Sequence, residues 1–70
     1  MDLDVRIIEH IATLSTGKWN MELNLVEWCS NGKESYDIRS WNEDHTRCGK
    51  GVSLSKEEAI ELRDALNSAV

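Results

Sequence analysis

The 70-residue chain has no proline, few glycines and two cysteines, Cys29 and Cys48. No export signal is recognisable, so we interpret both as reduced thiols of a cytoplasmic protein rather than as a structural disulfide. The apolar runs are only a few residues long, whereas a membrane-spanning helix needs about 20. No membrane association is therefore expected. The acidic start, MDLDVRII, is typical of neither a signal peptide nor a transit peptide.

The length predicts a single domain over residues 1–70. A chain of this size buries only roughly 60% of the surface that its unfolded form exposes. Its core is therefore expected to be marginal, and self-association as a homodimer would add burial.

Residues for catalysis or for metal binding are scarce. His45 and Cys48 form an H-x-x-C pair, and His10 is the other histidine. Zinc usually requires about four ligands in two close pairs, so no metal is expected. Neither a nucleophile–base constellation nor a phosphate-binding loop is recognisable. We therefore expect neither an enzyme nor a cofactor.

The net charge of −5 argues against a nucleic-acid ligand if it is taken for the whole chain. The acidic excess is concentrated at the two ends, however, and the segment from Lys18 to Lys50 is nearly balanced. Net charge governs solubility and non-specific attraction rather than a local site. Whether the central segment can bind nucleic acid therefore depends on which strand face carries its charges.

Hydrophobic periodicity predicts four strands and one helix. The predicted strands are Val5–Leu14, Lys18–Trp28, Lys33–Trp41 and Arg47–Leu54. Ile7 and Ile8 are adjacent and interrupt the alternation of the first, which indicates either a bulge or a short helix there. Asn31-Gly32 predicts a hairpin turn. Ser55 and Glu58 form a capping box that begins a helix ending near Ser68, which is expected to cover one face of the sheet.

Alternation in the second strand separates two faces. An apolar set is expected to form the core: Trp19, Met21, Leu23 and Leu25. Trp28 lies on the other, polar face, where a large aromatic side chain is unexpected. We expect it either to stack on a ligand or to pack in a dimer.

Arg39 and Trp41 are two residues apart on the third strand and therefore face the same way, with Lys33 in the same row. A cation beside an aromatic ring suits single-stranded nucleic acid, whereas the alternative is a solvated face with Trp41 in a dimer contact. Asp37 shares the face and is expected to orient an arginine through a charge-assisted bond. Lys50, between two glycines, can approach a phosphate closely, unless the glycines simply mark a bulge.

The segments MELNLVEW, YDIRSW, GKGVSL and SKEEAIELRDAL, in this order, resemble the positive cofactor four family of transcriptional coactivators. The resemblance covers about residues 18 to 67 and is closer to the small bacterial branch, the YdbC-type proteins. It implies an α+β fold, ββββα, with a strongly curved four-stranded antiparallel sheet and one C-terminal helix. It also implies a homodimer that binds single-stranded DNA with little sequence preference and has no catalytic role.

Carried over residue by residue, the resemblance predicts a nucleic-acid-binding surface that combines cations with aromatic rings. Its matched positions are Trp28, Lys33, Arg39, Trp41 and Lys50, with Lys18 and Arg47 as further contacts. The expected function is that of an accessory in transcription, replication or repair. Two alternatives stay open: a protein-interaction module that uses the same exposed tryptophans, and an RNA-binding domain, since a stacking platform does not itself reject a 2′-hydroxyl.

Overall fold

The computed structural model describes residues 5–29 and 32–70, which form a four-stranded sheet followed by a helix. The elements are β1 (Val5–Ser15), β2 (Asn20–Trp28), β3 (Glu34–Trp41), β4 (Cys48–Leu54) and α1 (Lys56–Ala69). The strands are antiparallel and lie in chain order across the sheet. The predicted ββββα fold is therefore confirmed, and its first element is a strand rather than a short helix.

The edge strand β1 is irregular along its whole length. Its pairing with β2 shifts three times, between Ile7 and Glu9, between His10 and Ala12, and between Thr13 and Ser15. The adjacent isoleucines predicted one such irregularity, and the structure repeats it every three residues. A bulge bends its strand and increases the local twist. Repeated bulges therefore curl β1 relative to the inner strands.

The helix begins as its sequence predicts and then packs lightly on the sheet. The Ser55 hydroxyl accepts a hydrogen bond from the Glu58 backbone N–H at 3.1 Å, and the Glu58 side chain accepts from the Ser55 N–H at 2.9 Å. Among the described residues, α1 contacts β3 and β4 but neither β1 nor β2. It covers only part of one sheet face. Within those same ranges, no helix is both long and apolar enough to cross a membrane.

Strand register assigns the side chains of the inner strands to two faces, since directly paired residues lie on the same side. We call one the polar face: Asn20, Glu22, Asn24, Val26 and Trp28 of β2, with Ser35, Asp37, Arg39 and Trp41 of β3. We call the other the apolar face: Met21, Leu23 and Leu25 of β2, Tyr36 and Ile38 of β3, and Val52 and Leu54 of β4.

The polar face is the better buried of the two, which reverses the expectation from the sequence. Glu22, Asn24 and Asp37 are buried, whereas the leucines of β2 are only half-buried. The polar side chains pack over one another and hydrogen-bond across the curled sheet, while α1 leaves much of the apolar face open. Trp19, predicted to lie in the core, is 39% exposed because it belongs to the β1–β2 turn, before β2 begins.

The β2–β3 connection is a tight turn. Gly32 has a φ of 68°, the left-handed conformation that glycine adopts without strain. Its N–H donates to the Trp28 carbonyl at 2.7 Å, and the Trp28 N–H donates to the Lys33 carbonyl at 2.9 Å. The turn predicted from Asn31-Gly32 agrees with this geometry at Gly32, and Asn31 lies outside the described residues.

Candidate nucleic-acid interface

Trp28 and Arg39 meet on the polar face. The Arg39 guanidinium carbon lies 5.5 Å from the centroid of the Trp28 ring, which is a cation–π distance. Trp28 is half-buried at the end of β2, so part of its ring stays accessible. The predicted association of an arginine with an aromatic ring is therefore present, with Trp28 rather than Trp41 as its partner.

Asp37 fixes the guanidinium, as the sequence led us to expect. Its carboxylate accepts from Arg39 Nε at 2.6 Å and from Arg39 Nη2 at 2.9 Å, and it also accepts from the Ser53 hydroxyl at 2.8 Å. Burial alone would lower the pKa of Arg39. The hydrogen bonds from Arg39 to Asp37 and Cys48, together with the negative charge of Asp37, outweigh this effect and raise the pKa above its ordinary value. Arg39 is therefore cationic, and the buried Asp37 neutralises it locally.

Trp41 is a core residue, so the prediction that its ring is exposed is wrong. The residue is 2% exposed and clusters with Val5 and Val26. Its ring lies 5.5 Å from that of His45, and no partner for its buried indole N–H is found among the described residues. Side chains from β1, β2 and the β3–β4 loop therefore pack around the ring.

The predicted lysine and arginine contacts fall at opposite ends of the sheet. Lys18 lies in the β1–β2 turn and Arg47 in the β3–β4 loop, and antiparallel order places both connections at one end. Lys33 lies in the β2–β3 turn at the opposite end, next to Trp28. Lys50 is exposed on β4. The structure therefore groups Lys18 with Arg47 and separates both from Lys33.

Of the two glycines around Lys50, Gly51 is the one that strand packing requires. A Cβ at Gly51 would collide with the Ile38 carbonyl and with Arg39, and one at Gly49 would lie 2.5 Å from the Ser40 hydroxyl. The β3–β4 register also shifts here. The bulge foreseen as the alternative explanation is thus present, and Lys50 projects from it as an exposed side chain.

Sequence reasoning missed a cluster around the buried Glu22. His45 Nε2 lies 2.9 Å from its carboxylate and His10 Nδ1 lies 3.6 Å away, while Asn24 donates to it at 3.1 Å. Together with Ile7 these residues line a cavity of about 320 Å³. The position of Glu22 on the polar face was visible in the alternation. Its contacts with His10 of β1 and with His45 of the β3–β4 loop could not be seen there, because they join side chains from both sides of β2.

The β3–β4 loop is held by its own polar side chains. Asn42 Oδ1 accepts from the Arg47 N–H at 2.9 Å, and Thr46 donates to Asp44 at 2.8 Å. The Thr46 hydroxyl hydrogen bond holds the pKa of Asp44 below its ordinary value. His45 adopts a positive φ of 58°, which turns the chain so that its ring reaches Glu22. His45 and Cys48, the H-x-x-C pair of the sequence, contact different partners, since His45 lies against Glu22 and Cys48 accepts from Arg39.

Comparison with known proteins agrees with this architecture. The model of the Transcriptional Coactivator p15 (PC4) family matches residues 15–65. The chain is also 43% identical over 70 residues to an uncharacterised protein of Treponema pallidum (strain Nichols), covering 96% of this chain and 80% of that protein.

The fold and the sheet surface therefore define a domain of the PC4 class, and the chain belongs to the Transcriptional Coactivator p15 (PC4) family. Membership indicates nucleic-acid binding, with single-stranded DNA as the ligand of the family. The narrower assignment to the small bacterial branch stays a prediction.

Proposed function

We propose that this protein binds single-stranded DNA with little sequence preference and serves as an accessory in transcription, replication or repair. The observation that carries the proposal is the half-buried Trp28 ring beside Arg39 on the polar face. Aromatic rings stack on any base, because every base presents a π face. A stacking site of this kind therefore selects unpaired strands without reading their sequence.

The lysines and arginines at the ends of the sheet supply the phosphate contacts of this proposal. Lys33 lies beside Trp28, while Lys18, Arg47 and Lys50 lie towards the opposite end or on the β4 edge. From Trp28 to the start of β2 the sheet spans roughly 26 Å at the usual rise per residue. A DNA strand that runs along β2 would meet cations at both ends of the sheet. It would meet the Trp28 ring at the end that carries Lys33.

We propose that the functional unit is a homodimer formed through the apolar face and α1. The half-buried leucines of β2 lie on this face, and Leu62 and Leu66 of α1 are 39% and 50% exposed. Large apolar side chains that remain open on one side of a marginal core favour burial against a second copy. Dimerisation through this side would keep the second copy away from Trp28 and Arg39 on the polar face.

The proposal further assigns no catalysis and a cytoplasmic location. The candidate interface holds a stacking ring and an internally paired arginine, and these groups suit binding rather than bond breakage. Reduced Cys29 and Cys48 are compatible with the cytoplasm.

A titration with labelled oligonucleotides tests the proposed function. We expect an oligothymidine to bind more tightly than a duplex of equal length, since a duplex hides its base faces. If a dimer engages about four to six phosphates, log affinity should fall against log salt with a slope of roughly −3 to −4. Equal affinity for single strand and duplex would contradict stacking. An oligouridine that binds more tightly than oligothymidine would favour RNA, and no binding to any oligonucleotide would favour a protein-interaction module.

A further inference from the structure

A buried ion pair lies directly beneath the Trp28 ring. The Asp37 side chain is completely buried, and the Arg39 side chain is only 13% exposed. Trp28 is half-buried, and the Arg39 guanidinium carbon lies 5.5 Å from the centroid of its ring. The guanidinium therefore contacts both the buried carboxylate and the aromatic ring.

All three guanidinium nitrogens of Arg39 already donate within the protein. Nε and Nη2 donate to Asp37, and Nη1 points to the Cys48 sulfur at 3.8 Å. Asp37 occupies the Nε–Nη2 edge of the guanidinium. An arginine binds a phosphate in a bidentate manner through an edge of this kind. The pair as a whole carries no net charge, so it has little positive potential to offer a phosphate.

The surroundings are adapted to this arrangement. Ser53 donates to the same Asp37 oxygen as Arg39 Nη2 does, which ties β4 to the pair. Gly51 pairs with Arg39 across the strands, and any Cβ there would collide with the arginine. Strand β4 thus provides both a hydrogen bond and the space for the side chain to lie flat along the sheet.

We infer that Arg39 is a positioning residue that holds the Trp28 ring for a stacked base, and that Asp37 and Ser53 in turn position Arg39. None of the three anchors a phosphate. The inference rests on the proposed binding of single-stranded DNA and deepens it, because it divides the interface into a neutral stacking platform and separate cationic contacts.

Substitution at Arg39 distinguishes positioning from charge. Arg39→Lys keeps the charge but loses the planar fork, so it should not restore what Arg39→Ala loses. We expect both variants to bind oligothymidine roughly 5- to 150-fold more weakly, the range that corresponds to the removal of one base stack. The slope of log affinity against log salt should stay unchanged. Removal of a phosphate contact would instead flatten it by about 0.7.

A double-substitution cycle tests whether Arg39 acts through Trp28. Arg39→Ala combined with Trp28→Ala should bind no more weakly than Trp28→Ala alone, since the arginine then has no ring to hold. Additive losses, or a slope that flattens when Arg39 is replaced, would overturn the inference while leaving DNA binding intact. If the unaltered protein does not bind oligothymidine, the proposed function fails first, and the inference falls with it.

Because Arg39→Ala leaves Asp37 buried and unpaired, that variant could fail to fold. The combination Asp37→Asn with Arg39→Gln removes both charges together and avoids this strain. Circular dichroism would establish that the combined variant is folded. It should show the same unchanged salt slope and a loss of affinity in the same range, whereas a flattened slope would contradict the inference.

Discussion

Asp37 binds Arg39 through two hydrogen bonds, 2.6 Å and 2.9 Å long, and is itself completely shielded from solvent. This relationship removes the central arginine of the sheet from the charges that a phosphate backbone can use. In a chain with a net charge of −5, the electrostatic part of binding must then come from the remaining cations at the sheet ends and on β4. The salt dependence of binding should accordingly change on substitution at those positions and not at Arg39.

Trp28→Ala should weaken binding of oligothymidine by about 1–3 kcal/mol and leave the salt slope unchanged, because stacking releases no counterions. Anisotropy titrations at several salt concentrations provide both quantities. Trp19→Ala is the matched control, since Trp19 is an exposed tryptophan of the β1–β2 turn and should not alter affinity. Equal losses for the two variants would show that Trp28 is not a specific stacking site.

Lys50→Ala should change the salt dependence as well as the affinity. Lys50 is exposed on the β4 bulge, so its removal should leave the fold intact. The slope of log affinity against log salt should flatten by about 0.7 for each phosphate that the bound strand no longer places against a cation. Lys56→Ala removes the same charge beside Tyr36, on the apolar side of the sheet, and should leave the slope unaltered. An unchanged slope for Lys50→Ala would exclude it from the phosphate contacts.

Trp41→Ala tests the core rather than the binding surface. Truncation of a fully buried tryptophan typically costs about 3–5 kcal/mol of unfolding free energy. We therefore expect a large drop in the urea midpoint, with Trp19→Ala within about 0.5 kcal/mol of the unaltered protein. If Trp41→Ala retains full stability but loses DNA binding, the ring belongs to the interface after all.

The alternation of β2 and β3 was sufficient to predict the strands and to sort their side chains into two faces. It could not identify the better-buried face, because burial depends on where α1 docks and on how β1 curls. Leu23 and Leu25 are half-buried since α1 does not reach β2, whereas Asn24 and Asp37 are buried among polar side chains. Alternation with a period of two shows which face of the sheet a side chain lies on, but not whether another element buries that face.

The site was predictable where its residues are close in sequence. Asp37 and Arg39 are two residues apart on one strand, so their pairing follows from strand geometry. Glu22 and His45 are 23 residues apart, and their contact depends on a loop residue with a positive φ. The contact between Arg39 and Trp28 was likewise not visible in the alternation, because the register pairs Arg39 with Glu22. The sequence therefore placed Arg39 beside Trp41, two residues further along β3.

Ser55→Ala should destabilise the protein without altering the DNA interface. The substitution removes the hydroxyl that accepts the Glu58 N–H, and loss of such a cap costs about 0.5–2 kcal/mol. Urea unfolding measures the loss. Ser68→Ala, near the other end of α1, is the control and should have a smaller effect. A Ser55→Ala variant as stable as the unaltered protein would mean that α1 contributes little to the cooperative fold.

Leu66→Glu should convert the proposed homodimer into a monomer. Leu66 is 50% exposed on α1, and a carboxylate there would have to be buried unpaired against the second copy. Asn67→Asp adds the same charge one residue further on without removing an apolar side chain, and it should leave the assembly unchanged. Light scattering over a range of micromolar concentrations distinguishes the two states. If the unaltered protein is monomeric at these concentrations, or if Leu66→Glu remains dimeric, the apolar face and α1 do not form the interface.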